Sequence, residues 1–231
     1  MDEPTVDYDA LFDEGMWKEL DSALTNLPKP VHLLMYWFED ASEGEGETAV
    51  LCRALAHRYD KIHFKMRPRR KAYKFYPVIA VKGEKDGATV DYNIRIIGWP
   101  SGVQLTSLIT AIQVVSLEGQ TVDPIVRGQL QSLTQEVQFE LLTDPEDQGG
   151  VMVAKQIYGM AIENKHIRVY VVMVDQFADA LVSYSVKELP HLVINGRVHI
   201  EGIPDDKTLI EHMAIAIRPP KLVDNKSQDT D

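Results

Sequence analysis

The residues equipped for chemistry fall into four groups: one cysteine, two acidic stretches, one basic run and seven histidines. Cys52 is the sole cysteine, so no disulfide can form within the chain. It falls on a predicted helix over residues 48–59, where Thr48, Leu51, Cys52, Leu55 and Tyr59 share one face. That face reads as a buried stripe. Cys52 also lies about two turns inside the helix, where the terminal dipole no longer lowers a thiol pKa. The expectation is an inert core residue, the alternative a Cys52-based thiol activity. The acidic sets Glu43, Glu45, Glu47 and Asp144, Glu146, Asp147 lack the ligand order of a calcium loop and read as solvated loops with helix-capping acids. None of His32, His57, His63, His166, His191, His199 and His212 stands at metal-ligand spacing. No phosphate loop, nucleophile elbow or dinucleotide fingerprint is present. The chain is therefore expected to bind no metal or cofactor and not to be an enzyme.

The basic run is Lys65, Arg67, Arg69, Arg70, Lys71 and Lys74, interleaved with Tyr73, Phe75 and Tyr76. It is conspicuous in a chain of net charge −11. It is a candidate docking patch for a partner. The competing reading is that it neutralises acidic segments of the same chain, such as 1–21 or 43–47. The net charge disfavours general nucleic-acid binding and makes an acidic protein surface the better partner.

Two segments carry the same order of signals. The first runs through VHLLMYWFED (31–40), a Gly- and acid-rich stretch (41–47), the helix 48–59 and the strand IHFKM (62–66). The second runs through VQFELLTD (137–144), the stretch 145–150, a helix over 151–164 and the strand 166–174. Each then shows a proline at the mouth of an apolar strand, in FYPVIAV (75–81) and ELPHLVI (188–194). A further strand follows each, 91–98 and 197–202, and a closing helix, 103–115 and 206–217. Such a repeat predicts two homologous domains. The boundaries are an acidic helical segment 1–27, domains 28–116 and 117–218, and a disordered tail 219–231; residues 116–130 hold a linker and a leading helix.

No apolar run approaches the length of a membrane span. The acidic N-terminus does not resemble a secretory signal, and one cysteine suits a reducing compartment. A cytoplasmic location is expected.

The order of elements resembles the glutaredoxin-like protein disulfide oxidoreductases, which consist of two fused thioredoxin folds. The resemblance rests on RIIGWPSGVQLTSLITAIQVVS (95–116), MAIEN (160–164), YSVKELP (184–190) and EGIPDDKTLIEHM (201–213), and spans residues 28–217. It implies an α/β fold of two tandem thioredoxin-like domains, each a mixed central sheet flanked by helices. It also implies cis bonds at Tyr76-Pro77 and Leu189-Pro190, in loops that pair with extended peptides in the family. The departures are as telling. The family's Cys-x-x-Cys would fall on Glu43–Gly46 in the first half and Asp147–Gly150 in the second, and neither stretch contains cysteine. The first half is also short between Ile62 and Pro77, where the family fits a helix and Pro68 allows at most one or two turns.

The expected function is a redox-inactive, protein-binding adaptor or a subunit of a larger assembly. The alternatives are a thiol-redox auxiliary docking in a glutaredoxin or peroxiredoxin system and a nucleic-acid-associated module using the run 65–74. In the flavoprotein subunit of alkyl hydroperoxide reductase a similar fused pair has one cysteine-free half; here both halves lack the dithiol.

Overall fold

A computed structural model describes residues 7–37, 43–118 and 122–219. A short 3-10 turn at Asp9–Leu11 precedes α1 (Glu14–Leu24). The first half then runs β1 (Val31–Trp37), α2 (Glu43–Arg58), β2 (Ile62–Pro68), β3 (Val78–Lys85), β4 (Ala88–Ile97) and α3 (Gln104–Ser116). The second half runs α4 (Pro124–Gln131), β5 (Val137–Thr143), α5 (Gln148–Glu163), β6 (Ile167–Met173), α6 (Ala178–Ser183), β7 (His191–Ile194), β8 (Val198–Glu201) and α7 (Asp206–Ala216). The tail expected to be disordered lies, beyond Pro219, outside the described residues. No described helix is long and apolar enough to cross a membrane.

Local chemistry accounts for the helix boundaries. Asp13, Asp123, Asp147 and Asp205 cap α1, α4, α5 and α7, each accepting a backbone N–H from the first turn. Pro124 follows its cap at the first helical position, where a missing N–H costs nothing. Two expectations need correction. Residues 43–47 are not connection but the start of α2. Likewise α5 begins at Gln148 rather than 151, because the Asp147 cap recruits the Gly-Gly pair into the helix.

The eight strands among the described residues join one sheet in the order β2-β1-β3-β4-β6-β5-β7-β8. Within each half the pattern is identical: a parallel pair (β1/β2, β5/β6), then two antiparallel neighbours. The halves fuse where β4 pairs in parallel with β6, Ile94–Ile97 lying beside Val169–Val172. This seam protects one edge from each half. The edges left over are β2, which carries Lys65, Arg67 and Pro68, and the four-residue β8. Charge, proline and shortness are the usual means by which an edge avoids pairing with another chain.

The sheet's two faces differ. One is packed by α2, α3, α5 and α7 into a core built around Leu33, Leu55, Ile79, Leu108, Phe139, Ile157 and Val171, all with no exposed surface. The predicted stripe Thr48, Leu51, Cys52, Leu55 and Tyr59 lies in it, buried throughout. The opposite face holds a smaller cluster of Tyr36, Tyr76, Val78, Ala80, Ile97, Leu142 and Val172. Its cover is slight: the connection 69–77 in the first half, and the 174–176 turn with α6 in the second. The first-half connection has no helix; β2 runs straight through to Pro68.

Candidate functional site

The site is built where the second half's first strand hands over to its helix. Thr143 ends β5 and Asp147 caps α5. The Asp147 carboxylate is used on both oxygens: Oδ1 accepts from the Gly150 N–H at 2.9 Å, and Oδ2 accepts from the Thr143 hydroxyl at 2.8 Å. Gln104, at the start of α3 in the other half and with no exposed surface, reaches across the junction. Its Nε2 donates to Thr143 Oγ1 (2.9 Å), the Asp144 carbonyl (3.0 Å) and the Asp147 carbonyl (2.8 Å). Its Oε1 accepts from the Ser107 hydroxyl at 2.7 Å. Gln104, Ser107 and Thr143 are buried and find partners in this network, the condition under which buried polar groups stabilise rather than cost; Asp144 and Asp147 are half-buried at its rim.

The glycines of this helix start are close-approach positions. A Cβ on Gly149 would stand 2.9 Å from Pro190 Cδ, so the helix backbone lies directly against that proline. A Cβ on Gly150 would stand 2.1 Å from Thr143 Oγ1. The space a side chain would need at position 150 is filled by the threonine hydroxyl. Beside this start, Met152 is 57% exposed and Ile203 51% exposed. Both are large apolar side chains left open to solvent.

The residues expected at the two proline loops fall at matching places. Tyr76-Pro77 and Leu189-Pro190 are both cis. The Pro77 carbonyl accepts from the Gly98 N–H, and the Pro190 carbonyl from the Gly202 N–H, each at 2.9 Å. The surroundings then diverge. In the first half the second half closes over the loop: Phe75 stacks on Phe177 at 4.7 Å between centroids. Trp99 N–H donates to Gln176 Oε1 at 2.7 Å, and Gln176 Nε2 donates back to the Trp99 carbonyl at 2.9 Å. Gly102, in the left-handed region at φ +56°, abuts Pro145, whose oxygen would lie 2.3 Å from any Cβ there. The first-half turn is thus a structural joint. In the second half, the nearest neighbours of a Cβ on Gly149 are Pro190 and Asp147, both of the same half.

Glu43 and Gly46 lie in the first turn of α2. Cys52 lies deeper in the same helix with no exposed surface, and burial pushes its thiol up to about 12. His191 follows Pro190 as a buried strand residue; its Nε2 meets His199 Nδ1 at 2.9 Å, and its buried Nδ1 has no partner among the described residues. Burial, and then His199, hold its pKa below the ordinary histidine value. Among the described residues, no group of three or more His, Cys, Asp or Glu is placed to hold a metal ion.

Lys65, Arg67, Arg69, Arg70, Lys71 and Lys74 are all exposed. The Arg70 guanidinium lies 4.8 Å from the centroid of Tyr36, and that of Arg69 4.9 Å from Tyr76. Lys74 donates to the Ser183 hydroxyl at 3.0 Å. The acids Asp9 and Asp21 of the N-terminal segment pair with Arg58, not with this run. Nearby, Arg95 is buried at the seam and satisfied by a bidentate bond to Asp91 and by the Tyr73 hydroxyl. Sequence reasoning finds neither the Gln104 junction nor the Tyr73–Arg95 contact, because partners about twenty to forty residues apart leave no local pattern.

Two successive repeats of strand, helix, strand, proline loop, hairpin and closing helix, fused into one sheet, define a tandem thioredoxin-fold protein. Residues 152–214 match the family model described as a thioredoxin domain. The solved structures it resembles include a cysteine-to-alanine mutant of the alkylhydroperoxide reductase AhpF from Enterococcus faecalis: 21% identical over 87% of this chain and 99% of that chain, TM-score 0.78. The NTD_N/C domain of AhpF from the same organism gives the same values. A protein disulfide oxidoreductase from Aeropyrum pernix K1 is 18% identical over 90% of this chain and 93% of that chain, TM-score 0.77. No curated protein matches the sequence.

Proposed function

We propose that this chain is a redox-inactive thioredoxin-fold protein that acts as a protein-binding adaptor or as a subunit of a larger assembly. The observation that carries the reading is the start of α5. Disulfide exchange needs an attacking thiolate and a resolving thiol within reach. Here an Asp147 carboxylate caps the helix, and the Thr143 hydroxyl fills the space at Gly150. The only thiol, Cys52, is sealed in the core and its thiolate is suppressed by burial. Binding capacity, by contrast, does not depend on cysteine. The second half leaves apolar Met152 and Ile203 exposed, and the first half presents its cationic surface.

The test is affinity isolation of the native protein from its own cells, with and without reductant. A partner recovered at fixed stoichiometry in both conditions is expected. Partners that vanish on reduction would mean that Cys52 forms mixed disulfides, and the reading would fall.

A further inference from the structure

We infer that the exposed cationic surface formed by the end of β2 and the connection that follows it is a docking site for a carboxylate-rich segment of a partner protein. The inference rests on the adaptor reading and adds the partner's chemistry. The stretch KMRPRRKAYK (65–74) holds six cations and no acid, in a chain with 35 acidic and 24 basic residues. With carboxylates in such excess, an ion-paired cluster would be easy to build. Yet Lys65, Arg67, Arg70 and Lys71 have no carboxylate partner among the described residues. Cations elsewhere, among them Lys29, Arg58, Lys82, Arg95 and Arg127, are paired. Like charges gathered on one surface repel one another, and an acidic ligand relieves that repulsion.

Guarding an exposed sheet edge explains only part of the cluster. It covers Lys65, Arg67 and Pro68, which belong to β2. Arg70 and Lys71 lie beyond the strand, where no edge needs protection. There the Arg70 and Arg69 guanidiniums rest on the rings of Tyr36 and Tyr76. Contact with a ring restricts each guanidinium in advance, which lowers the entropy cost of a bond to a carboxylate.

The same rings argue against nucleic acid. Single strands are held by bases stacking on open aromatic faces. Tyr36 is 2% exposed and Tyr76 9% exposed, and Phe75 is already stacked on Phe177. The surface offers charge without a stacking platform.

The experiment measures binding of a labelled oligoglutamate peptide, and of an oligothymidylate of equal charge, to the full chain. Three proteins are compared: the native chain, the triple reversal Arg67→Glu, Arg70→Glu, Lys71→Glu, and a control reversal Lys155→Glu, Lys165→Glu, Lys207→Glu of equal net charge. The peptide is expected to bind the native chain, to weaken as salt rises from about 50 to about 200 mM, and to lose about tenfold or more in affinity to the patch reversal alone. All six substituted side chains are exposed, so unchanged thermal midpoints certify the fold. The inference is overturned if the peptide does not bind, if both reversals weaken it equally, or if the oligothymidylate binds as tightly. It is also overturned if the cellular partner binds the native and patch-reversed chains alike; the adaptor reading would then stand on another surface.

Discussion

The two halves share a blueprint and are finished differently. In the second half β6 is covered by β4, the sheet face by α6, and the helix start is closed by the Thr143–Asp147–Gln104 network. In the first half β2 is a free edge, and the connection 69–77 replaces a covering helix with a cationic loop. Its turn after β4 is a joint clamped by Gln176 and Pro145. The helix start of one half is a clasp between the halves, and the thinly covered face of the other carries the exposed cations proposed above as a surface for contact.

The clasp should give the largest effect. Gln104→Leu removes the donor to Thr143 Oγ1 and to two carbonyls and the acceptor of the buried Ser107 hydroxyl, at about 3 kcal/mol in urea unfolding. A loss below about 1 kcal/mol would mean that the halves do not depend on this junction.

The seam comes next. Burial works to raise the Asp91 carboxyl, but the bonds and charge of Arg95, with Lys82, overrule it and hold the group at about 2. A carboxyl lowered in the folded state releases its proton more readily there than in the unfolded chain. Its stabilisation is full above about pH 4 and is lost as pH falls through about 2. Asp91→Asn should cost about 2 kcal/mol at neutral pH and flatten acid unfolding in that window. His191 adds an opposite-charge example with the same slope. A histidine lowered in the folded state is stabilising when neutral, so its contribution erodes as pH falls below the ordinary value of about 6.5.

Smaller effects follow. Cys52→Ala should cost about 1 kcal/mol by emptying a sulfur-sized space, and the native thiol should stay unlabelled by maleimide until the chain is unfolded. The patch reversal should change stability by less than about 0.5 kcal/mol, because its side chains are exposed, while weakening acidic-peptide binding about tenfold or more. A large stability loss there would make the basic surface part of the fold's own electrostatics.

The repeat is legible because it is written in local signals: apolar runs of strand length, prolines at strand mouths and closing amphipathic helices. The buried stripe around Cys52 follows from helical periodicity alone. Sequence places the starts of α2 and α5 too late, since glycines beside acids read as loop when the capping geometry is unknown. The six-residue α6 leaves no signal because it is too short for a period, and Val182 within it is 81% exposed. At the candidate site, Asp147 and Gly150 can be singled out by counting from the helix end. What occupies the space around them cannot, because Gln104 arrives from another element about forty residues away. The fused sheet is equally invisible; nothing in β4 or β6 alone specifies its neighbour.

The central claim is that neither half performs thiol–disulfide exchange. Its most direct measurement is the rate of insulin disulfide reduction in dithiothreitol with the native chain present, beside Cys52→Ser. The account predicts the dithiothreitol background rate for both. Acceleration by the native chain that disappears in Cys52→Ser would contradict it, showing that the core opens enough for Cys52 to react.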